Sequence, residues 1–292
     1  MVEESFKDNL YPLKNKVALV TGANQGLGFG YSLRLASLGA TVIMICRNQS
    51  RGETAQNKII SKCHNSTVYL EICDLSSLDS VKSLVSIFKQ KYTALDILVN
   101  NAGVYLKNRS ETADGFETTF GVNYLAHFFL TYSLISLLKL SNSATVINIT
   151  SNFGQRKGNI DFDNINKIQH YSGMEAYNQS KLAIVISTNN FTNHFVDTHI
   201  SFYTVCPGVV RSNIIRDFTI PRIFWKILSP FIQSPEKGCE TGVKLITKEL
   251  QPVNGENYFR KGKAISPNPV SLDPKLQEAL WDYSIALLNL DN

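Results

Sequence analysis

The sequence has few of the features that mark specialised protein classes. It holds five cysteines, Cys46, Cys63, Cys73, Cys206 and Cys239. The count is odd and no pair is spaced as Cys-x-x-Cys. That argues against a disulfide framework and suits a reducing compartment, so a cytoplasmic location is expected. His64, His170, His194 and His199 show no ligand spacing, and no metal is expected. The net charge of +5 is scattered, with no run of five or more like charges, so no nucleic-acid partner is expected. There is no apolar stretch of 18 residues, which excludes an obvious transmembrane segment. The polar, acidic opening from Met1 to Asp8 does not read as a secretory signal. With these classes set aside, 292 residues with 43% hydrophobic and 18% charged content describe an ordinary globular chain.

Short apolar runs alternate with segments of helical period. The runs are Val17 to Thr21, Thr41 to Cys46, Thr67 to Ile72, Leu95 to Asn100, Ala144 to Thr150 and Ile200 to Val205. Between two of them, Leu78, Val81, Leu84, Val85 and Phe88 trace one helix face. Continuous buried strands alternating with helices predict βαβ units. The expected fold is α/β: one Rossmann domain, a doubly wound parallel sheet of about seven strands with helices on both faces. Residues 1–14 read as an extension and 15–292 as the domain. Within it, 211–270 is less regular and is expected to form a substrate lid and the last sheet edge. Its apolar part, with Phe224, Trp225, Ile227, Leu228 and Phe231, reads either as a core helix or as a lid facing lipid-like substrates.

The first run leads into Thr21-Gly22-Ala23-Asn24-Gln25-Gly26-Leu27-Gly28 and then a helix pattern. Glycines serve where a chain turns sharply and where backbone must approach a pyrophosphate. The following helix N-terminus offers N–H groups to the anion. The second run ends Cys46-Arg47-Asn48, with Arg47 nineteen residues after Gly28 and no carboxylate before Glu53. A carboxylate there would bind a ribose hydroxyl, whereas a guanidinium grips a 2′-phosphate. The expected cofactor is therefore NADP(H).

Tyr177 and Lys181 stand four residues apart in a helical segment, on one face and one turn from each other. A free phenol has a pKa near ~10, and a neighbouring ammonium favours its ionised form. The fifth run ends Asn148-Ile149-Thr150-Ser151. A hydroxyl there would hydrogen-bond a substrate oxygen, and alternation lets only one of Thr150 and Ser151 point inward. His127 lies among apolar residues and reads as a packed helix histidine.

These residues together resemble the short-chain dehydrogenase/reductase family, most closely its branch of retinol dehydrogenases and WW-domain oxidoreductases. The branch features are Cys46-Arg47-Asn48, Asn123 followed by Leu125-Ala126-His127-Phe128, Pro207-Gly208-Val209-Val210-Arg211-Ser212, and the tail motifs Gly255-Glu256-Asn257-Tyr258-Phe259 and Leu280-Trp281-Asp282-Tyr283-Ser284. The resemblance implies a catalytic tetrad of Asn123, Ser151, Tyr177 and Lys181. It implies a cofactor site of Gly22, Asn24, Gln25, Gly26, Leu27, Gly28, Arg47, Asp74, Leu75, Asn101, Ala102, Gly103, Tyr177, Lys181, Pro207, Gly208, Val210 and Ser212. Ser212 stands where many members carry threonine. The implied reaction is hydride transfer between nicotinamide and an alcohol/carbonyl pair. Ser151 and Tyr177 would hold the substrate oxygen, Lys181 would lower the tyrosine pKa, and Asn123 would hold a water behind it. A small-molecule alcohol or carbonyl, retinoid-like, fatty or steroid-like, and a homodimer are expected by the same likeness. The alternative is a catalytically idle, dinucleotide-binding interaction protein on the same fold.

Overall fold

Valine, isoleucine and leucine in unbroken runs suit strands covered on both faces, and the chain uses them so. The computed structural model describes residues 11–63, 65, 67–152, 158–208, 233–253 and 255–290. The strands are β1 (Val17–Thr21), β2 (Thr41–Cys46), β3 (Val68–Ile72), β4 (Ile97–Asn100), β5 (Ala144–Ile149), β6 (Ile200–Cys206), β7 (Tyr258–Arg260) and β8 (Lys263–Ala264). They form one sheet in the order β3-β2-β1-β4-β5-β6-β7-β8. Pairs from β3 to β7 are parallel, and only the two-residue β8 runs antiparallel. The sheet thus has the seven parallel strands expected, plus a short edge hairpin.

The helices are α1 (Gly26–Ser37), α2 (Gln49–Cys63), α3 (Leu78–Lys91), α4 (Ala126–Lys139), α5 (Gly173–His194), α6 (Pro235–Gly238), α7 (Glu240–Ile246) and α8 (Pro274–Leu287). Caps account for several starts. Ser77 accepts from the Ser80 N–H before α3, and Ser172 from Glu175 before α5. Asp273 caps α8, whose first residue is Pro274.

Alternation along the strands builds two cores. Leu19, Ile43, Ile45, Leu98 and Val146 face α3, α4, α5 and α8. Ala18, Val20, Val42, Met44, Val99 and Ile147 face α1, α2 and α7. The helical run Thr118–Lys139 is long and apolar enough to cross a membrane by composition, yet 83% of its most apolar window is buried. It is the central core helix of one layer, and its apolarity follows from that place.

The segment 211–270 divides. Its residues 235–246, read as part of a lid, instead pack on the domain: Cys239, Val243, Leu245 and Ile246 are buried with α1 and the sheet. Gly30 of α1 allows this approach, since a Cβ there would stand 2.6 Å from the Pro235 carbonyl oxygen. Residues 258–264 form the edge hairpin of the sheet. The apolar residues 220–232 lie outside the described residues.

Phe191 of α5 packs against Phe128, Phe202 and Trp281, with ring centroids 5.2, 5.4 and 5.2 Å away. Phe191→Ala removes this shared contact and is expected to cost about 3–5 kcal/mol of stability. Equilibrium urea unfolding measures it, and a cost below about 1 kcal/mol would contradict the packing described.

Candidate active site

Strand order reverses between β1 and β4, and a crevice opens at the carboxyl ends of the strands there. One wall is the glycine turn. Gly22 and Gly26 have φ of +64° and +54°, a region that disfavours side chains. A Cβ on Gly28 would meet the Gly22 carbonyl oxygen and lie 2.5 Å from Asn101 Nδ2. The turn therefore exposes bare backbone above the α1 N-terminus, whose first turn carries no acidic residue. Gln25 is the extended residue before α1, Asn24 is half-buried, and Leu27 is buried in the core below. Backbone hydrogen bonds from Ala23 and Asn24 to the Cys46 sulfur join the turn to the end of β2. The next residue is Arg47, exposed, with Asn48 behind it accepting from the Arg51 N–H at 3.0 Å. Glu53, the first carboxylate after it, accepts from Gln49 at 2.8 Å.

The segment after β4 is tied to the turn through one hydroxyl. Thr21 Oγ1 accepts from the N–H groups of Asn101 (2.9 Å) and Ala102 (3.0 Å). Asn101 Nδ2 returns a bond to the Thr21 carbonyl at 2.7 Å. Gly103 gives room to Asn123 and Lys181, since a Cβ there would lie 3.1 Å from Asn123 Oδ1 and 3.7 Å from Lys181 Nζ. After β3, Asp74 Oδ1 accepts from the Ser76 N–H and hydroxyl at 3.0 and 2.7 Å, while Leu75 is buried in the core.

Ser151, Tyr177 and Lys181 converge at the end of β5. The Ser151 side chain is hydrogen-bonded to the Tyr177 phenol. Thr150, its competitor in the sequence, turns the other way and donates to the Lys181 carbonyl at 3.0 Å. Lys181 Nζ donates to the Ile149 carbonyl at 3.0 Å and lies 5.7 Å from the Tyr177 ring centroid. Tyr105 meets the Tyr177 ring edge-on at 6.0 Å.

The electrostatics correct one expectation. Tyr177 is not pulled down by its lysine. Burial pushes the phenol up to about 12, the Ser151 hydrogen bond opposing and the nearby Cys206 thiol adding to the rise. Burial also brings Lys181 down to about 8. Both charged forms lose solvation in this crevice, and Lys181 spends a donor on a carbonyl rather than on the phenol oxygen. In the protein alone, Tyr177 is a proton donor held neutral beside a cation.

Asn123 sits in a single π-helical turn, Gly121–Leu125, that leads into α4. Such turns insert an extra residue and bulge the helix, often at functional sites. Its side chain takes both backbone groups of Val104, accepting at 2.7 Å and donating at 3.0 Å. It also donates to Ser180 Oγ at 3.0 Å, and Ser180 donates to the Tyr177 carbonyl at 2.8 Å. Asn123 thus braces the helix that carries Tyr177 and Lys181.

Pro207 and Gly208 follow β6 at its rim, Gly208 with φ +77°. Val210, Ser212 and the apolar residues 220–232 lie outside the described residues. Among the described residues no group of three or more metal-ligating side chains occurs. Sequence reasoning missed Ser180, which ties Asn123 to the Tyr177 backbone. Its tie to Asn123 has no spaced signal, because the two lie 57 residues apart in the chain.

The chain is similar to several known proteins. Human retinol dehydrogenase 12 is 38% identical over 279 residues, covering 95% of this chain and 88% of that protein. Mouse retinol dehydrogenase 11 is 35% identical with the same coverage, and human retinol dehydrogenase 14 is 32% identical over 296 residues, covering 95% and 88%. Among solved structures, an uncharacterized protein from Mycobacterium paratuberculosis superposes with a TM-score of 0.77 at 26% identity, covering 96% of this chain and 95% of that one. A short chain dehydrogenase from Shigella flexneri in complex with NADP shares the fold, with a TM-score of 0.69 at 21% identity over 87% of this chain and 100% of that one. Residues 16–220 match the short chain dehydrogenase family. With the glycine turn, the Asn101-Ala102-Gly103 segment and the Ser151–Tyr177–Lys181 group in one crevice, the chain belongs to the short chain dehydrogenase family and is an oxidoreductase of alcohol/carbonyl pairs.

Proposed function

We propose that this chain is an NADP(H)-dependent oxidoreductase acting on an apolar alcohol/carbonyl pair, with Tyr177 as its acid/base. The observation that carries the reading is the Ser151–Tyr177 hydrogen bond, set beside Lys181 in the crevice that the glycine turn opens. The crevice fits a dinucleotide. Its turn leaves space that a Cβ would fill at Gly22 and Gly28, and it is followed by a helix N-terminus free of acidic residues. Gly22, Asn24, Gln25, Gly26, Leu27 and Gly28 would border the pyrophosphate. Asp74 and Leu75 would border the adenine. Asn101, Ala102, Gly103, Pro207, Gly208, Val210 and Ser212 would line the rest.

Arg47 supports NADP(H) over NAD(H). It follows β2 directly, joins the turn through Cys46, and is followed by no carboxylate in the sequence until Glu53. The bound nicotinamide supplies a hydride to a carbonyl or accepts one from an alcohol. This chain's residues handle the proton. Ser151 and Tyr177 present two hydroxyls to one substrate oxygen, Tyr177 donates its proton as charge develops there, and Lys181 keeps a positive charge beside the phenol. Asn123 holds the helix that carries both. The retinol dehydrogenase relatives support an apolar, retinoid-like substrate.

Tyr177→Phe is expected to lower turnover of a reactive aldehyde by about 10²–10⁴-fold while NADPH binding persists. Stopped-flow turnover beside fluorescence titration of NADPH measures both, and equal turnover in the variant would favour the idle-binder alternative. Lys181, brought down to about 8, loses its charge as pH rises through that value. Carbonyl reduction at saturating NADPH should therefore fall above about pH 8, long before the Tyr177 phenol ionises. A limb that survives unchanged in Lys181→Met would refute the assignment. Arg47→Ala should raise the KM for NADPH by about tenfold, the worth of a charge-assisted contact at an exposed site, and leave that for NADH unchanged. Equal change for both cofactors would remove the phosphate role.

A further inference from the structure

His127 is buried, with 5% of its surface exposed, one position into α4. Such a site asks only for an apolar side chain, and burying an imidazole there costs free energy unless both ring nitrogens find partners. Both do. Nδ1 lies 3.0 Å from the Asn123 carbonyl oxygen, and Nε2 lies 2.9 Å from Thr21 Oγ1. A carbonyl only accepts, so Nδ1 carries the hydrogen and Nε2 is the acceptor. Thr21 must then donate its one hydroxyl proton to Nε2. The alternative acceptor, the Val99 carbonyl, is longer at 3.3 Å. The tautomer is thereby set by geometry alone. Burial also holds the ring neutral, with its pKa down to about 4.

The two partners belong to two halves of the crevice. Thr21 is the last residue of β1, immediately before the glycine turn, and already receives the Asn101 and Ala102 N–H groups. Asn123 lies in the π turn, where the Ala126 N–H reaches back to the Gly121 carbonyl, and its side chain braces Ser180 and, through it, the Tyr177 backbone. One unbroken chain of hydrogen bonds therefore runs from the cofactor cradle to the catalytic helix, and the imidazole is its middle link.

We infer that His127 is a positioning residue that holds the cofactor cradle and the Tyr177–Lys181 helix in mutual register, through Thr21 on one ring nitrogen and the Asn123 carbonyl on the other. Hydride transfer is sensitive to such placement, because a displacement near 1 Å can cost about a hundredfold in rate. The inference rests on the functional reading above. It also predicts a separation of effects that packing would not produce. An asparagine amide reaches the place of Nδ1 and spares the Asn123 bond. A glutamine amide reaches the place of Nε2 and spares the Thr21 bond.

The test compares His127→Phe, His127→Asn and His127→Gln in the full chain. Rates are normalised to folded molecules by NADPH-binding stoichiometry. His127→Phe is expected to lower kcat for aldehyde reduction by about tenfold or more and to weaken the NADPH Kd. His127→Asn should recover most of kcat with a weakened Kd, and His127→Gln should recover the Kd with a reduced kcat. If His127→Phe does not fold, the Asn and Gln pair carries the comparison. Values within about twofold of the native enzyme in every variant overturn the inference. So do losses that track the Tm of each variant, with kcat and Kd moving together. Failure of the functional reading is separately visible: turnover would then be absent or indifferent to Tyr177→Phe, while the NADPH Kd still reports the Thr21 half of the link.

Discussion

At the carboxyl end of β1 one hydroxyl meets three partners. Thr21 Oγ1 receives two backbone N–H groups from the segment after β4 and faces His127 of α4. A buried hydroxyl has one proton and two lone pairs, so these contacts use its full capacity. The crevice depends on this saturation. The reversal of strand order between β1 and β4 pulls the chain apart there, and backbone groups exposed by the gap need partners. Thr21 supplies them from one side, leaving the other side clear for a bound molecule.

The same economy recurs deeper in the sheet. Asn100 of β4 donates to Thr131 and to Asn148, each at 2.8 Å, and Asn148 donates to Thr188 of α5 at 3.0 Å. Thr204 of β6 donates to that same Thr188 at 2.8 Å. A polar seam thus crosses the buried strands and reaches the helix that carries Tyr177 and Lys181. Apolar packing alone tolerates sliding by a fraction of an ångström, whereas a paired hydrogen-bond seam does not. The seam explains why a fold of generic hydrophobic layers can hold Tyr177, Lys181 and Ser151 at a defined separation.

The electrostatics follow from that burial. Removing solvent raises the phenol and lowers the ammonium, which leaves a neutral acid beside a cation that is readily discharged. An acid that must yield its proton only as negative charge appears on a substrate oxygen benefits from being held neutral beforehand.

Much of this was legible in the chain before folding was considered. The unbroken Val/Ile/Leu runs, the turn with Gly22, Gly26 and Gly28, and the four-residue step from Tyr177 to Lys181 are local patterns, and local patterns are carried by neighbours in sequence. They determined a parallel α/β sheet, the position of the glycine turn and the helix face that bears Tyr177 and Lys181. Tertiary structure alone decided whether Ser151 or Thr150 faces the crevice, that residues 235–246 belong to the core, and that the tyrosine is raised rather than lowered. It also decided that His127 joins Thr21 to Asn123. Each of these outcomes turns on at least one partner tens of residues away or on the loss of water around the group, and neither distance in space nor solvation is written in the spacing of residues along a chain.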